Sequence, residues 1–199
     1  MLRVVQLIDL LSTWIGKCFG WMIMVLTFSV GYEVFVRYVL NKPTTWAFDV
    51  SYISYGALFM MAGAYALSRN GQVRADVVYR LLRPRTQAIM DLTLHILFYF
   101  PAVLAFIWSG WNFARMSFMF KELSIFSPAG IPVFPLKMLI PLTGVVLFIQ
   151  GIAEVLRCIL CIRDGEWPPR VQDVEETEVL ILQQQKAMAA PGDAPAKGH

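Results

Sequence analysis

Charge is scarce in this chain. Only 16% of its residues are Asp, Glu, Lys or Arg, and 57% are hydrophobic, a balance too apolar for an ordinary soluble domain. Histidine is scarcer still. His95 and His199 are the two, which cannot supply facing imidazoles for a membrane haem iron. Cysteine is confined to Cys18, Cys158 and Cys161, which argues against a disulfide framework. Cys158-Ile-Leu-Cys161 has redox spacing, but at i, i+3 on the end of an apolar run it reads as packing. No phosphate-binding loop, metal cluster or nucleophile–base set occurs, so the chain is read as no enzyme, with no cofactor and no metal site. The net charge of +3 does not point to nucleic acid, because the basic residues border apolar runs.

What is present is long uncharged sequence. Cys18–Tyr32, Val50–Ser68, Leu92–Ala114 and Met138–Ala153 run for 15, 19, 23 and 16 residues without an ionised side chain. A bilayer core takes about 20 helical residues. The two shorter runs reach that length if Lys17, Glu33, Lys137 and Glu154 lie near the interfaces. The expected fold is therefore an all-α integral membrane protein with four transmembrane helices in residues 1–163. An acidic tail, partly disordered, is expected over 164–199. Arg3 before an apolar run suggests a signal peptide, but Tyr32, Glu33, Arg37 and Tyr38 stand where small cleavage-site residues belong, so a retained anchor is expected.

The connector after the second run gathers Arg69, Arg74, Arg80, Arg83 and Arg85 against Asp76. Basic residues of short loops stay cytoplasmic, which puts this connector and both termini inside. Asn70-Gly71 is a natural helix stop. Beyond it, Val73, Val77 and Leu81 recur every four residues, and Asp76 can pair with Arg80 across one turn. A short amphipathic helix in the cytoplasmic interface is expected here, with Arg80, Arg83 and Arg85 toward anionic headgroups.

The expected helices run from Ser12 to Leu40, from Trp46 (with Thr45 as N-cap), from Thr86 to Met116 with a kink at Pro101, and to a last end near Cys161. Glu33 and Arg37 stand at i, i+4 and can neutralise each other. His95 reads as a packed or interfacial histidine. Trp46 suits the aromatic interface belt and Asp49 the helix dipole, while Gly56, Gly63 and Ala64 permit close helix approach.

Arg37-Tyr38, Trp46-Ala-Phe-Asp49, Tyr55, Phe59, Gly63-Ala64 and Arg69-Asn-Gly71-Gln72-Val73-Arg74-Ala-Asp76 together resemble the small permease subunit of tripartite ATP-independent periplasmic (TRAP) transporters, the DctQ-like family. Ser127, Ile131-Pro132 and Pro141 continue the pattern. Two positions depart from it: Asp49 stands where the family usually has glutamate, and Gln72 where it often has histidine. The resemblance implies a non-catalytic scaffold in a bacterial inner membrane. Its implied partners are a large multi-span permease, which holds the substrate and sodium sites of an organic-acid importer, and a periplasmic solute-binding protein. Arg37, Trp46, Asp49, Gly63, Gly71, Gln72, Arg74 and Asp76 are then candidates for subunit contact or docking. Two other readings stay open: a self-sufficient proton-coupled homodimeric carrier using Glu33, and an assembly factor or sensor using the acidic tail.

Overall fold

In the computed structural model, residues 2–69, 71, 79, 82–126, 128–168, 181, 182, 184 and 185 are described. The helices are α1 (Leu2–Gly20), α2 (Met22–Val39), α3 (Ala47–Ser68), α4 (Pro84–Leu94), α5 (Phe100–Met119) and α6 (Phe134–Asp164), with a π-helical turn, His95–Tyr99, joining α4 to α5. They make four helical spans long and apolar enough to cross a membrane: Leu2–Val39, Ala47–Ser68, Pro84–Met119 and Phe134–Asp164. The 72–78 stretch, and with it most of the expected amphipathic helix, lies outside the described residues, as do 169–180 of the acidic tail.

The first span starts at Leu2, well before the expected Ser12. Its α-helical ladder is interrupted at Trp21, where the Trp21 and Met24 amides bond three residues back, to Cys18 at 3.3 Å and Trp21 at 3.0 Å. Gly20 supplies the weak point in the ladder. The third span departs from α geometry just ahead of Pro101, and the Phe100 amide reaches back five residues to the His95 carbonyl. Proline has no amide to donate, so carbonyls in the preceding turn lose partners and the helix widens locally. The fourth span continues past Cys161 to Asp164 and ends at Gly165, whose φ of 82° is the left-handed stop that glycine adopts at little cost. Thr45 does not cap α3. Trp46 holds that position without a side-chain cap bond, and the neighbouring Thr44 hydroxyl bonds Glu33 instead.

The fourth span is the centre of the fold: half of its most apolar window is buried within the chain, against 6% for the third span. Spans two and three both pack on it, and α1 covers spans two and four on one side. Glycines set these approaches. A Cβ on Gly144 would stand 2.5 Å from Ile107, one on Gly110 2.8 Å from Ile140, and one on Gly16 2.5 Å from Tyr65. Any larger residue there pushes helices apart. With four spans, both ends of the helical region lie beside the connector that follows Arg69; this is the connector end. The other end carries the 40–46 turn and the 120–133 loop and is the hairpin end.

The hairpin-end loop has its own order. Leu123 and Pro132 form an isolated antiparallel bridge, flanked by Ser124 N–H to Ile131 O at 2.8 Å and Val133 N–H to Glu122 O at 3.0 Å.

Candidate functional site: two polar belts

Charged side chains on the four spans gather at two levels. At the connector end, α1 and α6 share a buried network. Ser12 Oγ donates to Gln150 Oε1 at 2.7 Å and Gln150 Nε2 donates to Asp9 Oδ1 at 2.9 Å. Arg157 Nη2 donates to the other Asp9 oxygen and Nη1 to Glu154 Oε1 at 2.6 Å. Asp9, Gln150, Glu154 and Arg157 are each 3% exposed or less. An ionised group taken out of water costs several kcal/mol unless paired and hydrogen-bonded. Here both carboxylates pair with and bond the one guanidinium, whose Nε is left without a partner among the described residues.

Sequence reading missed this network. Asp9 lies ahead of the expected helix start at Ser12, and Glu154 is expected near the interface. A usable signal was present: Asp9 and Ser12 are i, i+3, and Gln150, Glu154 and Arg157 are i, i+4, i+7, so each set lies on one helix face.

At the hairpin end there are three ties. Glu33 and Arg37 form the expected pair, with Arg37 Nε and Nη2 donating to Glu33 Oε1 at 2.9 and 2.5 Å. The second Glu33 oxygen accepts the Thr44 amide at 3.1 Å and the Thr44 hydroxyl, which pins the 40–46 turn to α2. Asp49, 2% exposed, accepts Ser124 Oγ at 2.6 Å, so it fastens α3 to the 120–133 loop. Lys137 Nζ donates to Glu122 Oε2 at 2.5 Å. That ammonium holds the Glu122 carboxyl below the usual carboxylate range.

The separation of the belts is informative. Along α6, Lys137 and Arg157 are about 30 Å apart at about 1.5 Å per residue. Along the first span, Asp9 and Glu33 are about 36 Å apart on the same rise. The hydrocarbon core of a bilayer is about 30 Å thick. Lys17 alone intrudes on the first span. It is exposed and about 12 Å along from Asp9, and its stem can return the ammonium toward the interface.

Of the other expected positions, Trp46 is 40% exposed and stacks on Tyr32, ring centroids 5.8 Å apart. Gly63 is not a tight helix contact, because its Cβ would meet Leu147 only at 3.8 Å. Instead it lines an apolar groove of about 610 Å³ with Phe59, Phe106, Ile140 and Thr143. Gly71 closes α3 by donating its amide to Ala66 O at 2.9 Å. Arg83 caps α4 from an extended conformation, and Pro84 follows as its first residue. Arg85 lies alongside Gly165, a Cβ there falling 3.6 Å from the guanidinium. Gln72, Arg74, Asp76 and Arg80 lie outside the described residues. His95 Nδ1 is 2.8 Å from the Asp91 carbonyl and its ring abuts Tyr99, a packed histidine. Cys158 and Cys161 are not disulfide-bonded and lie in a small core with Ala88, Leu92 and Trp167.

Four apolar spans carrying polar clusters at both ends define an integral membrane protein. Residues 23–161, well over half of the chain, match the family described as tripartite ATP-independent periplasmic transporters, DctQ component. The chain belongs to that family, and it is a small membrane subunit of a TRAP transporter. Asp9, Ser12 and Gly16 precede the matched residues. No curated protein matches the sequence.

Proposed function

We propose that this chain is the non-catalytic scaffold of a sodium-driven TRAP importer of organic acids. It braces the large permease and helps receive the periplasmic solute-binding protein. It resides in a bacterial inner membrane, with the connector end and both termini in the cytoplasm. The observation that carries this reading is the placement of charge. The belt residues are tied to one another within the chain, at levels that bracket a bilayer core, and among the described residues Lys17 is the only charged side chain on the spans between them. A carrier needs ionisable or polar groups facing a water-filled midplane cavity. Cargo and coupling ions are therefore handled by the partner.

Orientation is supported by Arg69, Arg83, Arg85 and Arg163 at the connector end. Arg37, Trp46 and the loop fastened by Asp49 offer a hairpin-end surface for partners, and Gly63 lines a membrane-level groove suited to a partner helix. The Gly71–Asp76 segment, with Gln72 and Arg74, remains an assembly element in this reading. Arg80, Arg83 and Arg85 anchor to inner-leaflet headgroups.

The proton-coupled carrier reading calls for a midplane Glu33. That residue lies at the end of the spans, with one oxygen bonded to Arg37 and the other to Thr44.

The test is affinity purification of the tagged chain from a membrane co-expressing a large TRAP permease. Stable co-purification is expected, and Asp49→Ala should weaken the complex without changing which solute is taken up. A chain that transports while never associating with a permease, or an Asp49→Ala complex that assembles normally but changes solute preference, would overturn the proposal.

A further inference from the structure

A groove of about 300 Å³ opens between α2 and α3 at the hairpin end. Its depth can be fixed from one bond: Ser29 Oγ reaches Ala47 O at 3.3 Å, so Ser29 is level with the start of α3. Glu33 then lies about 6 Å and Arg37 about 12 Å farther along α2, at about 1.5 Å per residue. Val30, Val34 and Phe48 line the groove with apolar surface, and Arg37, Thr44 and Ser51 line it with polar groups. From Val30 and Phe48, near the level of Ser29, the lining reaches Arg37 about two turns farther out, while Ser51, about one turn deeper, has its hydroxyl taken up by Ala47 O at 2.8 Å. A phospholipid crosses the same gradient from acyl chain to headgroup. Tyr38, 75% exposed, also lines the groove, as befits an interfacial aromatic.

Arg37 is only partly engaged. Its Nε and Nη2 both bond one Glu33 oxygen, and its side chain is 54% exposed. A guanidinium has five N–H donors, so donors remain for a phosphate oxygen. Glu33 neutralises Arg37, so the ion pair lining the groove carries no net charge. A headgroup that carries its own amine meets no net field there, whereas an anionic headgroup brings uncompensated negative charge beside Glu33.

We infer that this groove binds one zwitterionic glycerophospholipid of the hairpin-end leaflet, with an acyl chain along Val30, Val34 and Phe48 and the phosphate against Arg37. The inference needs only the membrane-spanning fold and stands apart from the scaffold reading.

The test is native mass spectrometry of the full chain in detergent, given equal amounts of phosphatidylethanolamine and phosphatidylglycerol. One retained phosphatidylethanolamine is expected. Arg37→Gln should weaken it about tenfold, as loss of a charge-assisted hydrogen bond does. Val34→Trp, which fills the apolar half and leaves the ion pair, should produce a similar loss with an unchanged melting midpoint. Thr86→Ala, exposed at the opposite end, should leave the adduct unchanged. Three results overturn the inference: no adduct on the natural chain, equal retention of phosphatidylglycerol, or an adduct that survives Val34→Trp. If Arg37→Gln fails to fold, the Val34→Trp result decides alone.

Discussion

Arg157 is the cation that Asp9 and Glu154 share, and replacing it by methionine isolates two buried carboxylates. All three side chains are buried, at 2%, 5% and 3% exposure respectively, so little solvent screening softens the change. Removing one partner of a buried ion pair costs about 3–5 kcal/mol. For a chain of this length each kcal/mol lowers the melting midpoint by about 2–4 °C, so Arg157→Met should lose roughly 6–20 °C. Asp9→Asn should be far milder. Glu154 still neutralises Arg157, and the introduced side-chain amide can turn together with that of Gln150 to keep a hydrogen-bonded chain to Ser12. The expected cost is about 1 kcal/mol, that of one ordinary hydrogen bond. The triple change Asp9→Asn, Glu154→Gln, Arg157→Met removes every charge and should recover most of the Arg157→Met loss. Tryptophan fluorescence on heating in detergent gives the three midpoints. Equal losses for Asp9→Asn and Arg157→Met, or a triple variant no better than the single, would refute the shared-cation reasoning.

Two further outcomes are expected. Gly16→Ala should destabilise by about 1–3 kcal/mol, as overpacking does, because its Cβ would stand 2.5 Å from that of Tyr65; Gly63→Ala, with 3.8 Å to Leu147, should fall within about 0.5 kcal/mol of the natural chain. The same melting assay separates them. Glu122 has a carboxyl held below its ordinary value by Lys137, so its contribution is complete above the unfolded-state carboxylate range and is lost as pH falls through the folded value. Acidification from pH 7 toward pH 3 should loosen the 120–133 loop, seen as faster proteolysis there by an acid-active protease, and Glu122→Gln should remove that pH dependence.

The four spans were legible because charge is so costly in hydrocarbon that its absence marks the membrane directly. Glu33–Arg37 was legible for a related reason: an i, i+4 pair is local and helix geometry alone brings it together. The pairing of Asp9 with Arg157 was not, since 148 residues separate them and only tertiary packing of α1 on α6 makes them neighbours. Thr45 is not the cap because the chain enters α3 one residue later, at Trp46, after a turn that Thr44 holds to Glu33. Gly63 looked like Gly16 in sequence. Which glycine meets a helix depends on the rotation of the span, and α3 turns Gly63 toward an open groove.

The central claim is that charge tied up at the two ends leaves this subunit dependent on a partner for transport. Uptake of a labelled organic acid into proteoliposomes under an imposed sodium gradient tests it most directly. Vesicles holding this chain alone should stay at the protein-free background. Uptake should appear when the large permease and the solute-binding protein are added. Gradient-dependent accumulation by vesicles containing only this chain would contradict the account.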